Sequence, residues 1–366
     1  MQKIIIQNHS DADQRLDKFL KKFLPNAPLG AIYKMLRTGK IKVNDKKKEQ
    51  TYRLAENDEI LIFLNDEELE KFQKILELPK KNITKPRLEI LYQDDDLMIV
   101  NKPAGLNVHP WDHKSTEISL IELVHDFLGK KYNSLTFKPS LVHRIDRDTS
   151  GCVLIALKKN ILENLLAQLQ NHSIEKIYHA IVVGKMWKPR GTIDKKLLRK
   201  ESARDEAKVI VSEEWQRAVT HYSTLREISR PEWFFSLLEC RIETGRTHQI
   251  RVHLSYYNCP ILWDKAYWDK KMNSYQSRNN HNSRQLLHAH SLTFIHPGTK
   301  KIFLSPHHIG LIWNIFLNNK NSIWSFYCLI SSTFSWILVV LSSKISLILL
   351  CITGLKKWYR SLTSHS

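Results

Sequence analysis

Apolar positions along this chain follow two periods, and the change between them marks where one kind of structure gives way to another. Leu16, Phe19, Leu20, Phe23 and Leu24 recur at spacings of three and four, which lines up one face of an α-helix. Asp13 stands where an N-cap belongs, and Pro25 ends the run. A second helical stretch turns Ile32, Met35 and Leu36 inward and Lys34 and Arg37 outward, and Gly39 is placed to stop it. Ile41 and Val43 then alternate with Lys40 and Lys42, the period of a half-buried strand. Residues 66–87 are charged and weakly periodic, and read as a linker with room for one helix. From Leu88 the pattern becomes short apolar runs: Ile90-Leu91-Tyr92, Leu97-Met98-Ile99-Val100, Val153-Leu154-Ile155-Ala156-Leu157. One helical face interrupts them (Ile161, Leu162, Leu165, Leu166, Leu169), and strands dominate from Lys176 onward, as in Phe234 to Ile242 and Ser291 to Ile295. Many strands with few helices predict an α+β chain built around a mixed, mainly antiparallel sheet. The expected organisation is a small N-terminal unit over 10–65, a linker over 66–87, a larger domain over 88–306 and an atypical apolar tail over 307–366.

Charge adds a partner to this outline. The chain carries 56 Lys+Arg against 37 Asp+Glu, a formal +19, which predicts attraction to polyanions. Nucleic acid is the favoured one, since Lys and Arg contacts to phosphate dominate its binding. The charge is concentrated early: residues 14–53 hold twelve Lys/Arg against Asp17, Asp45 and Glu49, leaving +9. The five cysteines are scattered without a C-x-x-C pair, which suits a reducing cytoplasm. His109 with His113, and His288 with His290, lack the companions of a zinc site, so no metal is expected. The apolar run at Ile4-Ile5-Ile6 is too short for a signal peptide.

The chemistry concentrates at His143-Arg144-Ile145-Asp146-Arg147-Asp148-Thr149-Ser150-Gly151, just ahead of an apolar strand. Loops at strand ends are where reacting groups tend to sit. This run resembles the H-R-L-D-x-x-T-S-G signature of the RluA family of RNA pseudouridine synthases, with Ile145 for leucine. Two further stretches resemble the same family: Asn101-Lys102-Pro103-Ala104-Gly105, and Gly245-Arg246-Thr247-His248-Gln249-Ile250-Arg251-Val252-His253. The N-terminal unit, in Ile32 to Asn44 and the closing Asn57-Asp58-Glu59-Ile60, resembles the S4 RNA-binding domain.

The family resemblance implies roles. Asp146 falls on the nucleophile, Arg251 on the cation that pairs with it, and Tyr178, within Lys176-Ile177-Tyr178, on the active-site tyrosine. Arg144 falls on the arginine that fills the gap left by an everted uridine, and His143 and Arg246 join it as candidate substrate contacts. The S4 resemblance makes Arg15, Lys34, Arg37 and Lys40 candidate RNA contacts. The reaction breaks the N1 bond of uridine, turns the base and rejoins it through C5. Its product is an isomer of its substrate, so no cofactor is expected. Layout favours large-subunit ribosomal RNA as substrate and a monomer as the working form, with transfer RNA as an alternative. A non-catalytic RNA-binding or ribosome-assembly factor on the same fold is the competing class. A glycoside hydrolase using Asp146 and Asp148 fits the +19 charge poorly.

Two stretches depart from the family pattern. Asn258-Cys259-Pro260-Ile261-Leu262-Trp263-Asp264 stands where the family has G-H-P-I-x-G-D, so Trp263 takes a glycine position. After Pro306 the chain turns apolar, and Ile323 to Leu341 carries no charge over nineteen residues. That length can span a bilayer; a reading-frame slip near position 306 accounts for it equally well. Membrane association is expected only if this tail is genuine.

Overall fold

The computed structural model describes residues 1–7, 10–73, 86–110, 117–200, 208–229, 234–268 and 284–305. The apolar tail after 305, including 323–341, lies outside the described residues, as do 74–85 of the expected linker. Among the described residues no helix is long and apolar enough to cross a membrane.

The N-terminal unit runs β1 (Gln2–Ile5), α1 (Leu16–Phe23), α2 (Leu29–Thr38), β2 (Ile41–Val43) and β3 (Glu59–Ile62), with β3 antiparallel to and between the other two strands. Leu16, Phe19, Leu20 and Leu24 are fully buried, as their spacing predicts, and pack with Ile32, Met35 and Leu36 of α2 against Ile41, Val43, Ile60 and Ile62 of the sheet. Gly39 closes α2 at φ 78°, a left-handed conformation natural to glycine. The cap of α1 is not Asp13. The helix starts at Leu16 with Arg15 in the cap position, and Asp13 lies at φ 49°. The Asp13 N–H donates to the Leu54 carbonyl, its carboxylate takes Arg53 at 2.9 Å, and Arg15 forms a β-bridge with Arg53. That bridging keeps the backbone extended past Asp13, so helix cannot begin there. The expected linker opens as α3 (Asp66–Gln73), which buries no residue.

The larger domain contains β4 (Glu89–Gln93), β5 (Leu97–Lys102), α4 (Leu120–Leu128), β6 (Ser140–Leu141), β7 (Ser150–Ala156), α5 (Lys159–Gln170), β8 (Glu175–Val183), β9 (Arg190–Asp194), β10 (Leu197–Lys200), β11 (Lys208–Val211), β12 (Val219–Ser229), β13 (Phe234–Ile242), α6 (Gln249–Tyr256), β14 (Leu287–Ile295) and β15 (Ile302–Leu304). One sheet follows the order β4-β5-β7-β14-β8-β13-β12-β9, with β6 added to β7 and β15 to β14. Its pairings are antiparallel except β7 with β14, which run parallel. The fold is therefore α+β with a mixed, mainly antiparallel sheet. β10 and β11 form a separate ribbon.

Two apolar clusters cover the sheet. Val100, Val153, Ile155, Tyr178 and Ala180 belong to one; Leu97, Ile99, Cys152, Leu154 and Leu165 belong to the other. Every residue of β5 and β7 is buried, which is why both read as unbroken apolar runs. Helix α5 buries Ile161 and Leu165, with Leu162 and Leu169 partly covered and Leu166 exposed. Strands dominate the later segment as expected, but the stretch carrying Arg251 is a helix, α6. Six successive residues there, Gln249 to Leu254, are buried, so no amphipathic stripe exists to betray a helix.

Each unit has its own core, yet both belong to one compact body, Met1–Ile309. Asp11, 2% exposed, joins them. Its carboxylate accepts from Ser134 Oγ at 2.8 Å, Leu135 N at 3.0 Å, and both N and Oγ1 of Thr136 at 2.9 and 2.6 Å. Gln14 adds a bond to Thr136 Oγ1 at 2.8 Å.

Candidate active site

The signature run forms the turn leading into β7, and its shape is set by neighbours from three elements. Thr149 N closes on the Asp146 carbonyl at 3.1 Å, and Thr149 Oγ1 accepts from Gln285 at 2.9 Å. Gly151 sits at φ 119°, where a Cβ would lie 2.1 Å from the Ala289 carbonyl oxygen. Only glycine lets β7 and β14 run side by side at that point. Lys102, fully buried at the end of β5, donates to the carbonyls of Pro103, Leu106 and Arg147 at 2.9, 2.8 and 2.8 Å. Burial pushes it down to about 7. Gly105 N also donates to the Arg147 carbonyl, at 2.9 Å. The Asn101–Gly105 stretch is thus a structural clamp on the loop that presents Asp146.

Asp146 points into an open cleft beside Tyr178, His248 and Arg251. Its side chain keeps 21% of its surface exposed, and Arg251 Nη1 donates to its Oδ2 at 3.2 Å. The other edge of the guanidinium is taken by Asp264: Nε and Nη2 donate to its two oxygens at 2.7 and 2.9 Å. Asp264 is wholly buried and also accepts from the N–H groups of Ala266 and Tyr267. Burial works against the Arg251 charge, but Asp264 first and Asp146 second outweigh it and hold the guanidinium above its ordinary value. The Arg251 guanidinium also lies 5.1 Å from the Tyr267 ring centre, a cation–π distance. His248 Nε2 stands 4.0 Å from Asp146 Oδ2, with its Nδ1 2.8 Å from the Tyr267 hydroxyl.

Tyr178 occupies the face of β8 turned toward the cleft and is 7% exposed. Burial raises its hydroxyl, and the charge of Asp146 raises it further, so the phenol keeps its proton near neutrality. Arg144 and Arg246 are exposed at the rim and line both this cleft and an adjoining cavity of about 610 Å³. His143 lines the larger cavity and is also tied to the strand behind it. Its Nε2 accepts from Leu154 N at 3.2 Å, and burial, then the neighbouring Lys176 charge, holds the ring down to about 4. A neutral ring fastened to β7 props the loop. Asp148 is exposed, its carbonyl accepts from Arg284 at 3.3 Å, and its charge supports the Arg284 and Lys102 cations.

The four N-terminal candidates lie in the other unit. Arg15 spends its fork on Asp17 at 3.1 and 2.8 Å. Lys34, Arg37 and Lys40 are exposed, and Arg37 borders a groove with Lys47 and Lys48. Among the described residues no group of three His, Cys, Asp or Glu could hold a metal ion; His113 lies outside them.

Three site residues escaped the sequence reading. Asp264 closes the departing Asn258–Asp264 stretch, and His248 lies inside the arginine motif, so both had a visible address. Tyr267 had none.

A carboxylate with one fixed direction, a cation that cannot leave it, a protonated phenol and open space beside them suit covalent attack on a planar substrate. A family model described as RNA pseudouridylate synthase matches residues 96–256. The protein named ribosomal large subunit pseudouridine synthase C in Buchnera aphidicola subsp. Schizaphis graminum is 35% identical over 299 residues, covering 81% of this chain and 91% of its own. The chain belongs to the RNA pseudouridylate synthase family. Another pseudouridylate synthase relative, the protein of the same name in Escherichia coli, is 33% identical over 309 residues, covering 82% of this chain and 91% of its own. Among solved structures, human RNA pseudouridylate synthase domain containing 4 superposes with a TM-score of 0.49 at 25% identity, covering 63% of this chain and 92% of that one. As a pseudouridylate synthase, the protein is an isomerase acting on RNA.

Proposed function

We propose that this enzyme converts specific uridines of large-subunit ribosomal RNA to pseudouridine, working in the cytoplasm as a monomer, with Asp146 as nucleophile. The observation that carries the assignment is the contact between Asp146 and Arg251 at 3.2 Å inside an open cleft. The choice of RNA rests on the names of the relatives and on the basic N-terminal unit.

In this reading the ionised carboxylate of Asp146 adds to the nucleotide, the N1 bond to ribose breaks, and the base turns within the cleft. C5 then bonds to the sugar, the bond to the Asp146 carboxylate breaks and frees it, and the proton lost from C5 is balanced by one gained at N1, so the product is an isomer of the substrate. Arg251 keeps the carboxylate aimed. Tyr178 gives the detached base a flat surface; because its hydroxyl holds its proton, it serves as a hydrogen-bond donor rather than a phenolate base. Extruding a base costs a few kcal/mol of stacking, which a side chain entering the vacated space offsets; exposed Arg144 takes that part. Arg246 meets backbone phosphate, and His143 supports the loop. Arg15, Lys34, Arg37 and Lys40, in a unit read as an S4 domain, hold the RNA by its backbone, contacts that position without reading sequence.

The test is Asp146→Asn. Pseudouridine formation should disappear while RNA affinity survives; a variant that still isomerises removes Asp146 from the chemistry. Mapping pseudouridines in RNA from cells lacking the gene identifies the substrate, and sites missing only from transfer RNA would overturn the ribosomal assignment.

A further inference from the structure

We propose that the cavity beside the Asp146 cleft seats a phosphodiester of the RNA adjacent to the isomerised uridine, with Lys176 as its buried counter-charge. This rests on the cleft being the uridine pocket.

Among the described residues two lysines are buried on the sheet, and they are treated in opposite ways. Lys102 donates to three carbonyls. Lys176 is 5% exposed, and among the described residues no acceptor or carboxylate satisfies its ammonium; burial alone lowers it from its ordinary value. Most of the side chain is buried while its ammonium still reaches the solvent of a cavity, and a partly desolvated cation gains from an anionic partner. Here it borders the 610 Å³ cavity, where a ligand can supply the missing charge. The rest of the lining favours an anion. Arg144 and Arg246 face the same space, and the carboxylate lining it, Glu243, is committed to His221 at 2.7 Å.

Position selects phosphate over other anions. Burial alternates along β8, so that Lys176 and Tyr178 share a face. Two residues of strand separate them by about 7 Å, comparable to the reach from a base lying on Tyr178 to a phosphate of its own or the next nucleotide. Cleft and cavity are continuous through Arg144, Tyr178 and Arg246, so one strand of RNA can occupy both.

The experiment uses the full chain and a stem–loop from large-subunit ribosomal RNA, bearing a uridine that the enzyme converts. The linkages on either side of that uridine are replaced one at a time by uncharged methylphosphonate, and Kd, KM and kcat are measured. One linkage should weaken wild-type binding about tenfold, the scale of one charge-assisted contact. Lys176→Met should weaken binding of the unmodified RNA by the same factor, act on KM more than on kcat, and reduce the salt slope by about one. Methylphosphonate at the sensitive linkage should then cost Lys176→Met nothing further, while Lys176→Arg recovers part of the affinity. Losses that multiply, or a wild type indifferent to both linkages, overturn the proposal. The second outcome decides even if Lys176→Met fails to fold. If no RNA is isomerised, the functional reading fails separately, because Kd for the same bound stem–loop still answers the phosphate question.

Discussion

Arg251 gives the Nε–Nη2 edge of its guanidinium to Asp264, at 2.7 and 2.9 Å, and keeps Nη1 for Asp146 at 3.2 Å. The two carboxylates on one cation are not equivalent. Asp264 is sealed from solvent and further bonded by two backbone N–H groups, so it anchors. Asp146 makes the longer contact and faces open space, as the proposed nucleophile should.

Arg251→Lys tests this division. A lysine ammonium is a point charge and cannot serve both carboxylates in the guanidinium's fixed geometry. Single-turnover pseudouridine formation should fall by about 100-fold, the cost of a misdirected reacting group, with RNA affinity nearly kept. Turnover within threefold of wild type would show that Arg251 does not aim Asp146.

Asp11→Ala addresses the joint between the units. Each lost bond to a buried carboxylate is worth about 1.5 kcal/mol or more, and four are removed together. Conversion of a short stem–loop should stay within about twofold, since the cleft is built without Asp11, whereas conversion of intact ribosomal RNA should fall about tenfold. Limited proteolysis between residues 66 and 88 should accelerate. Equal losses on both RNAs would make Asp11 a general stabiliser only.

Acid sensitivity follows from His253. The ring is wholly buried; its Nε2 donates to the Lys195 carbonyl at 3.2 Å and its Nδ1 pairs with Thr220 Oγ1 at 2.9 Å. Burial pushes it down to about 4, against partial opposition from the Lys195 carbonyl and Asp194. An unfolded histidine titrates near about 6.5. Between those values the unfolded chain binds the extra proton, so stability falls as pH drops from 6.5 toward 4. His143, also held down to about 4, acts in the same direction. The melting temperature should drop on going from pH 7.5 to 5, and His253→Asn should lower it at pH 7.5 while flattening the slope. An unchanged slope would remove His253 as a source.

Trp263→Gly sets two effects against each other. Trp263 adopts φ 64°, and left-handed backbone costs a residue with a side chain about 1–2 kcal/mol. Its ring is 5% exposed, and emptying a buried aromatic site costs about 3–5 kcal/mol. Packing wins, so the glycine variant should lose about 2 kcal/mol in denaturant unfolding. A more stable variant would mean that the ring is poorly packed.

Much of this was legible in residue order, for identifiable reasons. Spacing located α1 because only one face of it is buried. Motif resemblance located Asp146 and Arg251, 105 positions apart yet in contact. Period failed at α6, where burial on all sides leaves no stripe. The cap at Asp13 failed because a distant bridge to Arg53 overrides local preference. Asn258 and Trp263, which take family glycine positions, both adopt positive φ, 56° and 64°. The departing motif therefore recorded a backbone requirement, and Asp264 beside it went unread as an anchor. Lys176 was invisible as a cation without a partner among the described residues, because only three dimensions reveal what surrounds it.

Pinning Asp11 to the Ser134–Thr136 turn turns a two-part protein into a calliper. The basic N-terminal surface and the Asp146 carboxylate are held at a set span; under the proposed function, an RNA has to present its anchoring stem and its target base at matching separation. Discrimination then comes from the spacing of features on a folded RNA, and a correct loop displayed at the wrong distance is passed over.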